Sequence, residues 1–429
     1  MFRKIERNLL EWKNKKDRKP LLLFGARQVG KTYILNKFGE EYFDDVVYIN
    51  LETNLSVASY FSQDITPNKL ISFLETVVNK EIIPNHTLII LDEIQSCERA
   101  LTSLKYFYEI TPEYHIAGAG SLLGIALNRN HYSFPVGKVE TLDLFPLDFE
   151  EFLMALDEYK LIDTIKDSYK SLTPLPEAIH LKAIQYYREY LIIGGMPACI
   201  ENYRINHKLI FAQDIQSEII RNYVADMAKY ASPTEAVKIR ACYESIPNQL
   251  AKDNKKFQYK IVQRGGTSTI FGASLDWLQQ AGIILKCQKT NQGINPISVY
   301  SDLSSFKIYM SDVGLLVQSS GLATQTILTG EGNIFMGAVT ENYVAEQLVA
   351  KGDKLYYWSP KNTAEVDFII QREHDIYAME VKKGTNTRSR SLKEFQRQYQ
   401  PQYLIRISEK NFGISNDLIS IPLYAIFCL

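Results

Sequence analysis

Leu21-Leu22-Leu23-Phe24-Gly25-Ala26-Arg27-Gln28-Val29-Gly30-Lys31-Thr32 is the stretch that decides the fold. Four apolar residues run straight into a G-x-x-x-x-G-K-T loop, and Tyr33 to Phe38 continue with helical spacing. The order buried strand, glycine loop, helix is the setting in which such a loop cradles phosphate. A polyphosphate needs donors and positive charge at short range. Glycines let backbone N–H groups approach, and the helix N-terminus adds a partial positive charge. Gly25, Ala26, Arg27, Gln28, Val29 and Gly30 are therefore expected to wrap ATP. Lys31 is expected to reach its β- and γ-phosphates, and Thr32 to ligate Mg²⁺ through its hydroxyl.

A second stretch, Leu88-Ile89-Ile90-Leu91-Asp92-Glu93, complements the first. Its apolar run also reads as a buried parallel strand. The two acids stand at the C-terminal end, where open α/β sheets place ligand chemistry. Asp92 is expected to hold Mg²⁺ through water and Glu93 to polarise the attacking water. The two stretches together point to hydrolysis and not to binding alone.

Working outward, 429 residues with 46% hydrophobic content suffice for several buried cores. The formal net charge is −1, so any nucleic-acid contact must rest on local basic patches. The five cysteines, Cys97, Cys199, Cys242, Cys287 and Cys428, are far apart and none has metal-ligand spacing. Reduced thiols and a cytoplasmic setting are the expectation. No segment approaches the ~20 apolar residues of a membrane span, and no membrane partner is expected.

The fold class expected is α/β and multidomain. Residues 1–149 alternate strand and helix: an amphipathic helix over 2–15, strands at 46–50, 88–91 and 115–118, and helices over 69–79 and 101–110. That rhythm predicts a mostly parallel sheet with helices on both faces. Residues 150–232 read as helical, broken by Gly194-Gly195-Met196-Pro197, either a hinge or a structural turn. Residues 233–312 carry three helical stretches, 235–250, 255–262 and 267–281, then two short strands, the outline of a winged helix. Lys255, Lys256, Lys260 and Arg264 are its candidate phosphate contacts, which makes nucleic acid, DNA before RNA, an expected partner. The alternative is a domain that only packs on its neighbours.

The order GARQVGKT, LIILDEIQ, AGAGSLL, LFPLDFEEF and Tyr190 to Pro197 resembles a large family of prokaryotic AAA-type ATPases with a C-terminal domain of unassigned role. The resemblance implies that 150–232 are the lid. It also implies that Ser121, at the end of the 115–118 strand, senses the γ-phosphate; the alternative is an N-cap for a helix over 122–127. One departure concerns Gly137-Lys138, where that family often has Gly-Arg. Lysine offers a point charge where arginine can bind phosphate bidentately. No arginine finger is assigned among Arg99, Arg129 and Arg188, so a site completed across subunits of a homo-oligomer stays open.

Residues 313–429 hold a second set of chemistry. Glu341 lies in an expected helix over 337–350, Asp367 in a strand over 365–370, and Glu380-Val381-Lys382 in a strand over 376–382. Residues two apart in a strand share a face, so Glu380 and Lys382 project together. The combination resembles the active-site pattern of the PD-(D/E)xK, restriction-endonuclease-like fold. That resemblance implies Mg²⁺ on Glu341, Asp367 and Glu380, with Lys382 orienting or deprotonating water at a phosphodiester. The alternative is a non-catalytic domain in an ATP-gated switch, whose acids pair with Lys382, Lys383 or Arg388.

Overall fold

The computed structural model describes residues 1–121, 135–253, 255–330, 333–360, 364–383, 390–415 and 417–429. The expected helix over 122–127, Arg129 and Arg388 lie outside them. The chain divides into two compact units, Met1–Phe145 with Gln280–Gly282, and Pro146–Gln279 with Ile283–Leu429.

The first unit is built on a parallel five-stranded sheet of β1 (Leu21–Phe24), β2 (Asp45–Asn50), β3 (Thr87–Asp92), β4 (His115–Ala119) and β5 (Glu140–Asp143), in the order β2-β3-β4-β1-β5. β4 lies between the glycine-loop strand and the acidic strand, with Leu21 opposite Ala117 and Leu88 opposite His115. Because all strands run the same way, the ends of β1, β3 and β4 meet at one edge. On one face, helices Leu55–Gln63, Pro67–Val78 and Glu98–Ile110 bury Val57, Phe61, Leu70, Leu74, Leu101 and Leu104 against Leu22, Ile49, Ile89 and Leu91. The N-terminal helix is Ile5–Asn14, with Ile5, Leu9 and Trp12 buried as their spacing requires.

The second unit opens with helices Phe149–Ala155, Tyr159–Ser171, Glu177–Ile193, Pro197–Asn206 and Leu209–Tyr230. The first starts on a capping box, Asp148 with Glu151, and Phe149 N donates to Gln347 Oε1 at 2.9 Å. The Gly194-Gly195 break is a structural turn. Asp312 Oδ2 accepts from Gly195 N at 2.6 Å, and Gly195 O accepts from Leu147 N at 2.7 Å. A Cβ on Gly194, whose φ is +71°, would stand 2.3 Å from Asp312 Oδ1.

Helices Pro233–Leu250 and Ser268–Gln280 are where the apolar spacing put them. The middle one shrinks to Tyr259–Val262, because Lys256 and Phe257 pair with the edge of the strand that contains Phe306 and Lys307. The hairpin read as a wing, β6 (Ile284–Thr290) and β7 (Ser301–Met310), does not stand alone. It joins β8 (Tyr356–Trp358), β9 (Val366–Arg372), β10 (Asp375–Val381), β11 (Tyr403–Ser408), β12 (Gly413–Ser415) and β13 (Leu418–Pro422). Together they form one sheet of order β12-β13-β11-β10-β9-β8-β6-β7. One sheet therefore runs across the boundary expected at 312. Among the described residues, no helix is long and apolar enough to cross a membrane.

Candidate functional site

The glycine loop has the backbone its sequence demands. Gly25 sits at φ +145°, and a Cβ there would fall 2.2 Å from Leu144 O. Gly30, at φ 94°, is the N-cap of the helix Lys31–Tyr42, and Gln28 takes φ 67°. Lys31 folds over its own loop, donating to Gly25 O at 2.9 Å and Ala26 O at 2.8 Å. Burial lowers its pKa to about 8 against the opposing pull of Glu93 and Asp92, with Arg27 lowering it further. An ammonium held by two carbonyls and denied bulk water is ready to exchange them for phosphate oxygens.

Thr32 Oγ1 donates to Asp92 Oδ2 at 2.8 Å, which joins the two sequence stretches. Tyr48 Oη donates to that same oxygen at 2.8 Å, and Asp92 Oδ1 accepts from Glu93 N at 3.0 Å. The hydroxyl and carboxylate are hard oxygen donors in contact, a set that suits Mg²⁺ with its retained waters. Glu93 stands in the left-handed region at φ 50°, and its carboxylate accepts from the Gln95 side-chain amide. Burial raises the Glu93 carboxyl pKa, with Asp92 adding to the shift and the Gln95 hydrogen bond and Lys31 opposing it. Ser121 stands two residues past the end of β4 and is buried.

Sequence reasoning missed Tyr48, Gln95 and Arg3. Gln95 follows Glu93 by two residues in the quoted motif, so its proximity was readable. Tyr48 gave a weaker signal, a polar tip near the end of a strand beside the acidic one. Arg3 donates to Val29 O at 3.0 Å and to Phe145 O at 2.6 Å. Nothing local announces that role.

In the second unit Glu341 and Glu380 pair with different lysines. Glu341, in the helix Met336–Ala350, takes the ammonium of Lys255 on Oε1 and Tyr309 Oη at 3.3 Å on Oε2. Lys307, 0% exposed, lies 3.7 Å from Glu341 Oε2, bonds Glu365, and sits 5.0 Å from the Tyr357 ring centroid. Lys255 is thus an internal partner and not an open phosphate contact.

Burial pushes the Glu341 carboxyl up, and Lys255 and Lys307 reverse this to a net lowering. Burial first, then repulsion from Glu341, raises Asp367 to about 7 despite Lys307 and Lys255. Lys307 is raised overall because Glu341, Glu365 and Asp367 outweigh its burial. Glu380 pairs instead with Lys382 at 2.6 Å, as their spacing predicts, and Asp367 Oδ2 accepts from Val381 N at 2.8 Å. Among the described residues, no group of three or more His, Cys, Asp or Glu side chains is arranged to hold a metal ion. Lys255 holds Glu341 Oε1, Lys382 holds Glu380 Oε1 and the Val381 N–H holds Asp367 Oδ2, while Glu380 Oε2 is buried without a hydrogen-bond partner among the described residues.

Three family models match the chain: an AAA domain over residues 17–153, and two domains of unknown function, DUF8612 over 184–326 and DUF4143 over 336–426. Uncharacterized proteins of Mycobacterium tuberculosis and Mycobacterium bovis are each 32% identical over 121 residues. Those alignments span 27% of this chain and 27% of each relative, about a quarter of their length. Among solved structures, a Walker-type ATPase of Pyrococcus abyssi aligns at TM-score 0.45 and 15% identity, covering 74% of this chain and 95% of that one. The ORC2 protein of Aeropyrum pernix aligns at 0.32 and 11%, covering 78% and 90%. With the AAA match over the loop, the acidic pair and the strand between them, residues 17–153 are an AAA-type P-loop ATPase domain.

Proposed function

We propose that the chain binds and hydrolyses ATP with Mg²⁺ at the edge formed by β1, β3 and β4, and that this step gates the second unit. The observation that carries the reading is the 2.8 Å bond from Thr32 to Asp92, with Lys31 beside it. Lys31 leaves the Gly25 and Ala26 carbonyls and binds β- and γ-phosphate oxygens. Glu93, once Gln95 releases it, takes the proton of the attacking water. Ser121 hydrogen-bonds the γ-phosphate. Bound Mg²⁺ supplies charge neutralisation on those phosphates, held by Thr32 directly and Asp92 through water. The test is phosphate release by wild type and Lys31→Ala: equal rates sink the reading.

For the second unit, the lysine-filled acids favour a non-catalytic module that binds nucleic acid or another partner when ATP is bound. Helices 233–250, 259–262 and 268–280 with β6 and β7 are its winged-helix-like part, and Lys256, Lys260 and Arg264 remain its candidate phosphate contacts. The second reading keeps Glu341, Asp367, Glu380 and Lys382 as a Mg²⁺-dependent nuclease centre. The Glu380–Lys382 pair and the contact of Asp367 with Val381 N favour it, since they put these residues on neighbouring strands. It requires Lys255 and Lys307 to yield their carboxylates. DNA or RNA cut in the presence of Mg²⁺ or Mn²⁺ and ATP, and spared by Asp367→Ala, decides for the nuclease.

A further inference from the structure

The loop that receives phosphate is braced from outside its own motif. Arg3, only 5% exposed, donates through Nη1 to Val29 O at 3.0 Å and through Nη2 to Phe145 O at 2.6 Å. Its own N–H donates to Glu6 Oε1 at 3.2 Å, and that oxygen also takes Lys37 Nζ at 2.6 Å from the helix after the loop. One short N-terminal segment thus grips the loop and the helix that follows it.

The peptide plane gives the grip a direction. In a trans peptide the C=O of one residue and the N–H of the next point opposite ways. A guanidinium bonded to Val29 O fixes that carbonyl on the Arg3 side, so the Gly30 N–H faces away from Arg3. Gly30, at φ 94°, has no Cβ to hold the plane by itself and would otherwise rotate readily. A charged donor on a carbonyl is among the stronger hydrogen bonds available for the purpose.

We propose that Arg3 is a positioning residue of the nucleotide site, holding the Val29–Gly30 peptide so that Gly30 N–H stays aimed at the phosphates of ATP. The role rests on the reading of the loop as an ATP site. Arg3 touches no phosphate. It lowers the cost of ordering the loop, so its loss appears in nucleotide affinity more than in turnover at saturation.

The experiment titrates a fluorescent methylanthraniloyl-ATP analogue, with Mg²⁺, into the full chain as wild type, Arg3→Met and Arg3→Lys, with a thermal melt of each. Arg3→Met is expected to bind about tenfold more weakly. Arg3→Lys, which can bond one carbonyl but not both, is expected to fall between. Millimolar guanidinium is expected to restore part of the Arg3→Met affinity. In turnover, KM rises with the dissociation constant while kcat stays close to wild type. Binding by Arg3→Met within about twofold of wild type overturns the role. So does a loss that neither Arg3→Lys nor guanidinium reduces, because that is what disrupted packing gives. If Arg3→Met does not fold, a folded Arg3→Lys that binds as tightly as wild type overturns it. A wild type that does not bind the analogue overturns the ATP reading and the role with it. A wild type that binds while Arg3→Met binds equally overturns the role alone.

Discussion

Tyr48 gives its phenolic hydrogen to Asp92 Oδ2 at 2.8 Å, the same oxygen that Thr32 reaches at 2.8 Å. Burial, then the bond to Asp92, pushes the phenol up to about 12, so it remains a donor at any working pH. When the Thr32 hydroxyl turns to a cation, Tyr48 keeps the carboxylate in place. Tyr48→Phe retains the ring and removes the donor. The Mg²⁺ concentration for half-maximal ATP hydrolysis is expected to rise about tenfold, the usual cost of losing an outer partner of a metal site. An unchanged Mg²⁺ dependence counts against Tyr48 as a support of Asp92.

A pH dependence follows from Asp312 and Glu346. Both are buried; burial raises Asp312 to about 6 against the main-chain N–H groups that bond it, and burial, with repulsion from Asp312 added, raises Glu346 well above its ordinary value. Among the described residues, the groups bonded to them are the N–H groups of Gly195, Met196, Gly314, Leu315 and Val313 and the side chains of Tyr190 and Gln347, none of them cationic. The folded state therefore holds protons that the unfolded chain has already released. Stability is highest below pH about 4 on this account and falls as pH rises through about 6. Glu346→Gln is expected to stabilise by about 1 kcal/mol or more at pH 8 and by little at pH 4. Denaturant melts at the two pH values check it, and equal gains at both would contradict the shared-burial account.

Lys307 is the counter-ion of three acids. Lys307→Met leaves Glu341, Glu365 and Asp367 facing one another with Lys255 on Glu341 and Lys256 beside Glu365. The expected loss is about 3–5 kcal/mol, that of breaking a buried pair from one side. Lys307→Met combined with Glu341→Gln should recover part of it. If the single variant melts with wild type, the cluster is not what holds this end of the sheet.

Gly194→Ala puts a methyl group 2.3 Å from Asp312 Oδ1 at a φ of +71°. The main-chain strain and the displaced carboxylate together are expected to cost about 2–4 kcal/mol, read from a thermal or urea melt. A flexible joint would have absorbed the methyl group, so a small loss restores the hinge reading.

The glycine loop and its acidic partner strand were legible because their patterns are local. Eight consecutive residues fix the loop, and a strand with two terminal acids fixes its partner. Arg3 acts across 26 residues to Val29 and 142 to Phe145, a span that no local pattern encodes. Tyr48 and Asp92 meet only because β2 and β3 pair in the register Tyr48 to Ile90 and Asn50 to Asp92. In the second unit β6 to β11 and the shared face of Glu380 and Lys382 were readable from the sequence, whereas β12 and β13 were not. The lysines on Glu341 were not, though Lys307 within Phe306-Lys307-Ile308-Tyr309 left a trace. A lone cation in an apolar strand must find carboxylates once buried.

The parallel pairing of Gln288, Lys289 and Thr290 with Tyr356, Tyr357 and Trp358 has a further consequence. β6 fills what would otherwise be a bare flank of β8, and no later strand replaces it. A protease nick between 320 and 335 should therefore leave two polypeptides migrating as a single particle without denaturant. The last hundred residues synthesised by themselves would expose the unpaired flank of β8 and are expected to precipitate.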